Sequence, residues 1–407
     1  MREKDSRTSS AWTSCRSSLP AAHEISRLVV LGGSATGLAV ARSSYAQGLE
    51  TIVADTHRSL ASSSRCATFH ELPSDGSELA VRELLALADG QPTAIIADSD
   101  AWLRFLQGWR DELDGAFEVL HAPPSSIATC LDKLQFNRWC RQHGIPSPTP
   151  YLCAEGGEND VSFPVIVRPR LTCHHRAHDV PKAIECRSPS ELRWAIERCR
   201  NASVDPDVCE SLLRPATRCF SVGLARNARG ETLSVTAERV RPLPEQCAAG
   251  TFVRLCPHPA VQELAERVAE KLDLYGIAEI EILANPGGPG GSEELSVVEV
   301  NARPWLQFPL ADRSGHAMLP FLLNRPVRRP RHRRTDGVSW IDVSADRYIC
   351  FSRQRGLVWQ GQMSGSAWLR AVCSAEAHPV WSWSDPGPLM HSLLPKWLRA
   401  SQRGAAE

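Results

Sequence analysis

Residues 27–31 read Arg-Leu-Val-Val-Leu, a short apolar run that breaks at Gly32-Gly33-Ser34-Ala35-Thr36-Gly37 and then becomes a helical pattern through Ala46. A second apolar run, 51–54, ends at Asp55. A strand, a glycine turn, a helix and another strand in that order predict two parallel strands with the helix crossing one face. A further strand over 94–97, before Asp98 and Asp100, carries this first unit to about residue 125. The beginning of the chain is therefore α/β.

At 407 residues the chain exceeds the size at which one hydrophobic core stops growing, so two or three domains are expected. Formal net charge is zero, which gives no overall basic field to draw nucleic acid or an anionic membrane. No apolar run reaches the length of a membrane span. Fourteen scattered cysteines form no C-x-x-C pair, which fits free thiols in a reducing cytoplasm. The first 24 residues are rich in Ser and Arg, contain Glu3 and Asp5, and lack an apolar stretch, so a disordered tail is expected rather than a secretory signal.

Beyond the first unit, residues 131–143 are helical and stop at Gly144 and Pro146. Strands are expected over 163–167, 207–213, 217–225 and 232–239, with a hairpin turn at 227–230, and an amphipathic helix over 190–201. A long helix over 259–274 leads to two more strands, 278–284 and 295–300. The run 325–334 holds six Arg with Pro326 and Pro330 and reads as an exposed linker. From Trp340 onward the chain carries six of its twelve Trp, expected to fill the core of a small α+β appendage.

The chemistry concentrates near residue 300. In a strand, residues i and i+2 share a face, so Glu299 and Asn301 point the same way, and a hairpin with the preceding strand brings Glu281 beside them. Two carboxylates and a carboxamide oxygen are hard ligands suited to Mg2+, which keeps waters and bridges phosphates. Arg303 continues that face and is placed to stabilise charge on a transferred phosphoryl group. The alternative is a solvated strand face with a cross-strand charge pair. Lys133, opening a helix, and Arg168, ending an apolar strand, supply cations from two other elements, as a polyphosphate approached from two sides requires. The apolar edge around Glu210 suits an adenine.

These pieces resemble the ATP-grasp superfamily, in particular its carboxylate–amine ligase branch, over residues 27–325. The fragments fall in family order: Leu131-Asp-Lys-Leu-Gln-Phe, Phe163-Pro-Val-Ile-Val-Arg168, Val208-Cys-Glu-Ser-Leu-Leu213, Arg239-Val-Arg241, Tyr275-Gly-Ile-Ala-Glu-Ile-Glu281, Glu299-Val-Asn-Ala-Arg303 and Gly315-His-Ala-Met. The resemblance implies a Rossmann-like pre-ATP-grasp domain over 25–127 and an ATP-grasp domain over 128–325, with subdomains 128–205 and 206–325. A linker and appendage would cover 326–407. It further implies ATP as cosubstrate, with Lys133 and Arg168 at the phosphates and backbone of Glu210, Ser211 and Leu212 at adenine. Glu281, Glu299 and Asn301 would bind Mg2+ or Mn2+, and Arg303 would steady an acyl-phosphate. Arg239 and Arg241 would meet the γ-phosphate or a substrate carboxylate, or else stand as exposed strand cations. Expected partners are a small carboxylate and an amine, amino-acid or peptide-like, and a second copy of the chain as a homodimer; nucleic acid and membrane are not expected. The chain departs from the family twice. Arg168 stands where Lys is usual, and the loop 171–178 contains no glycine. A carboxylase or kinase, or a nucleotide-binding domain without turnover, is the alternative reading.

Three other signals carry less. Gly32–Gly37 with Asp55 only superficially matches a dinucleotide fingerprint, because the Gly-x-Gly core is missing, so no NAD is expected. Cys173, His174, His175 and His178 lack the spacing of a zinc site. The Arg run lacks the interleaved aromatics of a nucleic-acid surface.

Overall fold

The computed structural model describes residues 25–73, 77–151, 161–171, 180–214, 216–242, 250–287, 291–353 and 356–393. The expected tail, the glycine-free loop from residue 172 and the Cys173, His174, His175 and His178 side chains lie outside them. Fifteen strands among the described residues form three sheets.

The first sheet is parallel, in the order β3 (Thr68–Glu71), β2 (Glu50–Asp55), β1 (Arg27–Leu31), β4 (Thr93–Ala97), β5 (Phe117–Val119). Leu28, Val29, Val30 and Leu31 are fully buried, as expected for a central strand covered on both faces. The helix Ala35–Ala46 follows β1 and is capped by Ser34, whose Oγ accepts from the N–H groups of Thr36 and Gly37.

A small antiparallel sheet follows, in the order β6 (Pro150–Tyr151), β9 (Pro206–Glu210), β7 (Val165–Pro169), β8 (Ile184–Cys186). The helix Pro189–Asn201 covers it, burying Leu192, Ala195, Ile196 and Cys199. The largest sheet runs β14 (Glu294–Asn301), β13 (Gly276–Asn285), β10 (Arg218–Arg226), β11 (Thr232–Pro242), β12 (Gly250–Leu255), β15 (Ser339–Ile341). All its pairings are antiparallel.

Three expectations change. The helix expected over 131–143 is found as Lys133–Gln142, its start shifted because Asp132, in extended backbone, separates it from an earlier helix, Pro124–Leu131, and caps it by accepting from the Gln135 N–H at 3.0 Å. The strand 207–213 stops at Glu210: the Ser211 N–H still bonds to Pro164, the next position in the β7–β9 register, but proline has no N–H to return the bond. Among the described residues the C-terminal tryptophans form no separate core. Trp340 lies on β15, which extends the largest sheet, and is fully buried in a cluster shared with Leu28, Val30 and Leu38 of the parallel unit. Trp359 and Trp383 are exposed, and Trp368 instead donates from Nε1 to Asp346.

Candidate functional site

β13 and β14 place the acids. Their register sets Glu281 opposite Glu299 and Glu279 opposite Asn301. The pairing shifts after Glu281, so that Ile282 faces Val297 and Val298 is the extra residue. The carbonyl of Val298 receives Nη1 of Arg168 at 3.5 Å. The expected gathering of Glu281, Glu299 and Asn301 thus occurs, with a fourth member that the sequence reading passed over. Glu279 is two residues before Glu281 and shares its face by simple alternation, which was the available signal.

These groups line one cavity of about 270 Å3 between the small and large sheets. Lys133, Arg168 and Lys182 reach it from the small-sheet side, and Arg239 and Arg303 from the large sheet and the turn that follows it. Its apolar end is made by Ile166, Cys209, Leu212, Leu213 and Leu283, beside Glu210. Its other end is bounded by Thr36, Trp305, Leu306 and Gln307. Lys182 was quoted in the sequence but given no role there; no periodicity ties it to the acids, and only the packing of β8 against β7 brings it close.

Each acid is held by a cation from another element. Lys133 Nζ is 2.9 Å from Glu299 Oε1, and Arg239 is 2.5 Å from Glu281 Oε1. Burial pushes Glu299 up, but Lys133, with Arg168 and Lys182, overrides it and holds the carboxyl well below its usual range. Glu279 behaves oppositely. Burial and then the Glu281 charge raise it, only partly offset by Arg239, Ser221 and Arg303. Arg303 donates from Nε to Asp100 Oδ1 at 2.5 Å and from Nη2 to Asn301 Oδ1 at 3.3 Å.

Arg168 is 5% exposed and donates from Nε to Asp207 Oδ2 at 2.9 Å. Among the described residues its Nη2 has no acceptor, and neither does Nε of Arg239. Buried guanidinium donors without acceptors, beside Lys133 and Lys182, fit the oxygens of a polyphosphate. Glu281, Glu299 and Asn301 are a hard-oxygen donor set. No group of three His, Cys, Asp or Glu among the described residues is arranged to hold an ion by itself. Mg2+ takes one or two carboxylates and completes its shell with phosphates and water, a demand that two glutamates and an amide oxygen beside these cations match. At the apolar end, the N–H of Glu210 bonds to Thr149, that of Ser211 to Pro164, and the carbonyl of Leu212 accepts from Asn285. Ser211 Oγ donates to Glu185. Of the three residues expected at adenine, Glu210 and Leu212 line the cavity with Leu213, and Ser211 does not.

Arg241 does not reach the cavity. Arg239 pairs with Val253 and Arg241 with Phe252, so the bulge at Val240 turns the second arginine to the opposite face, where unbroken alternation would have kept both together. It stacks over the Phe252 ring at 4.1 Å and grips Asp346 through Nε at 2.8 Å and Nη2 at 2.9 Å.

The glycine turn after β1 is closed from within. Asp55 Oδ2 accepts from the Gly33 N–H at 2.8 Å, and Asp98 Oδ2 from the Ser34 N–H at 3.0 Å. A Cβ on Gly32, which has φ +97°, would lie 2.0 Å from Asp98 Oδ1. Donors that could face a dinucleotide phosphate are spent on carboxylates of this chain.

No family model and no curated protein matches the chain. Solved structures do. The biotin carboxylase domain of the Hydrogenobacter thermophilus 2-oxoglutarate carboxylase, a dimer determined with MgADP, ADP and bicarbonate, aligns with TM-score 0.59 at 14% identity, covering 78% of this chain and 74% of that one. The N5-carboxyaminoimidazole ribonucleotide synthetase of Thermotoga maritima aligns with TM-score 0.57 at 17% identity, covering 76% and 78%. The Aspergillus clavatus carboxyaminoimidazole ribonucleotide synthase complexed with ATP aligns with TM-score 0.57 at 16% identity, covering 74% and 78%. The chain has the ATP-grasp fold, a mixed α/β architecture with one parallel and two antiparallel sheets.

Proposed function

We propose that this chain is an ATP-dependent carboxylate–amine ligase that forms an amide through an acyl-phosphate. The observation that carries the reading is one cavity in which Lys133, Arg168 and Lys182 face Glu281, Glu299 and Asn301, with an apolar end at Leu212 and Leu213 and Arg303 near the acids. ATP-bound and MgADP-bound relatives in fold support the cosubstrate and the cation.

Lys133, Lys182 and the open donor of Arg168 bind the phosphates and neutralise their charge. The backbone of Glu210, Leu212 and Leu213 and the side chains of Ile166, Cys209 and Leu283 hold a flat base. Glu281, Glu299 and Asn301 would hold Mg2+, which would supply Lewis-acid polarisation of phosphoryl oxygens. Arg303, fixed by Asp100, steadies negative charge as the substrate carboxylate attacks the γ-phosphorus and ADP departs. An amine then adds to the acyl carbon, and phosphate leaves. No side chain has to act as a covalent nucleophile; the protein positions the reactants and screens their charge. Small acid and amine substrates, a homodimer and a cytoplasmic setting belong to the same proposal. No helix of the described residues is long and apolar enough to cross a membrane.

The test is phosphate and ADP release from Mg-ATP with pooled small acids and amino acids, for the wild type and Glu299→Gln. The variant should keep its circular dichroism spectrum and lose nearly all turnover; undiminished ADP release in it sinks the metal assignment. A second reading, carboxylation with bicarbonate as the acid, draws on the bicarbonate-bound relative in fold. Labelled bicarbonate appearing in the product would decide for it.

A further inference from the structure

A carboxamide can serve a cation only through its oxygen, so its NH2 group has to be tied elsewhere. Asn301 is tied on both sides. Its Nδ2 donates to Glu279 Oε2 at 3.0 Å, and its Oδ1 accepts from Arg303 Nη2 at 3.3 Å. Those two neighbours admit only one orientation of the amide, because a carboxylate must meet the NH2 and a guanidinium must meet the oxygen.

Glu279 is itself fixed. It is 4% exposed and sits directly opposite Asn301 in the β13–β14 register. Its Oε1 accepts from Ser221 Oγ and from Arg239 Nη2 at 3.3 Å. Both of its oxygens are thereby engaged, one by the β10–β11 side of the sheet and one by Asn301. An unpaired carboxylate at this depth would be costly, so the acid stays only because every contact is made.

We infer that Glu279 is a positioning residue that presents the Asn301 oxygen to the cation of a metal–nucleotide complex. This rests on the ligase reading of the cavity and adds to it a residue that does not itself bind nucleotide or metal. Partners behind a ligand commonly change metal affinity about 10- to 100-fold when removed. Glu279→Gln confronts Arg239 or Asn301 with a second donor, and Glu279→Asp keeps the charge but is one methylene too short for Asn301. Exchanging the two groups, E279Q with N301D, restores the pair with its polarity reversed. The new amide at 279 donates to the new carboxylate at 301, Arg239 and Arg303 each keep an acceptor, and the site's formal charge is unchanged.

The experiment titrates Mg2+ at fixed ATP on the full chain and reads the Mg2+ concentration for half-maximal nucleotide binding, with thermal unfolding alongside. Each single variant should raise that concentration about 10- to 100-fold, and the exchange should return it toward the wild-type value. Single variants indistinguishable from wild type, or an exchange no better than E279Q alone, would overturn the role. Should E279Q not fold, E279D decides the matter by the same readout. A wild type that binds no ATP at any Mg2+ concentration strikes the ligase reading itself and removes this inference with it. A wild type that binds, with variants that behave identically, strikes only Glu279.

Discussion

Lys133 and Glu299 meet across the cavity at 2.9 Å, the first residue of the helix Lys133–Gln142 against the third residue from the end of β14. The contact joins the small-sheet side of the cleft to β14. Asp132 makes it reproducible. Its carboxylate caps the helix and receives Arg170 from the end of β7, so Lys133 enters the cavity from a fixed turn.

In the ligase reading Lys133 passes from Glu299 to phosphate when Mg-ATP binds. Lys133→Met should therefore weaken Mg-ATP binding about 10- to 100-fold, the equivalent of about 1.5–3 kcal/mol for a hydrogen bond to a charged group. Isothermal titration of the variant with Mg-ATP measures it. Unchanged affinity would mean that Lys133 serves Glu299 alone.

Much of this arrangement was legible in the sequence because alternation and chain order carry it. Glu299 and Asn301 share a strand face at any register, and the hairpin brings Glu281 opposite. Arg241 was misread for a local reason: one extra residue, Val240, reverses the face, and nothing in Arg-Val-Arg announces a bulge. Asp207, Asp100 and Asp346, which fix three of the arginines, lie 39, 203 and 105 residues from them, separations at which sequence pattern says nothing of contact. Trp340 was expected in an appendage because composition marks it as core without saying whose core it fills.

Gly223 shows how tightly the Trp305 end of the cavity is packed. A Cβ there would lie 2.0 Å from Cη2 of Trp305, which lines the cavity and is 3% exposed. Gly223→Ala should destabilise the fold by about 1–3 kcal/mol through overpacking. Pairing it with Trp305→Leu should recover part of the loss, since the clashing ring is gone. Urea unfolding of the two variants and the wild type provides the comparison; equal losses in single and double variants would show that the strain lies elsewhere.

His121 gives a pH signature. It is fully buried, its Nε2 accepts from the Ala97 N–H at 2.7 Å, and its Nδ1 lies 3.1 Å from the Ala302 carbonyl, which fixes the neutral tautomer protonated at Nδ1. Burial, aided by Arg110 and Arg303 and opposed by the Ala302 bond, pushes its pKa down to about 3. The unfolded chain thus binds an extra proton between about pH 3 and the ordinary 6.5. Stability should rise with pH through that window, by at most about 1.4 kcal/mol per unit from this group, and level off above it. His121→Gln can donate to Ala302 and accept from Ala97 without titrating, so its unfolding midpoint should depend less on pH between 4 and 6.5 than that of the wild type. Identical slopes would clear His121.

Asp346 ties the C-terminal segment to the large sheet. It is fully buried and receives Arg241 through two bonds, Thr251 Oγ1 at 2.8 Å and Trp368 Nε1 at 3.0 Å. Asp346→Ala leaves the Arg241 guanidinium buried without a counter-charge, which should cost about 3–5 kcal/mol. Removing both charges, Arg241→Met with Asp346→Leu, should cost much less than Asp346→Ala, because desolvating an ion pair offsets much of its attraction. Neither change touches the cavity, whose lining includes Arg239 but not Arg241, so Mg-ATP affinity of the folded double variant should match the wild type. Chemical denaturation ranks the stabilities and calorimetry reads the affinity. A folded double variant that no longer binds nucleotide would return Arg241 to the site.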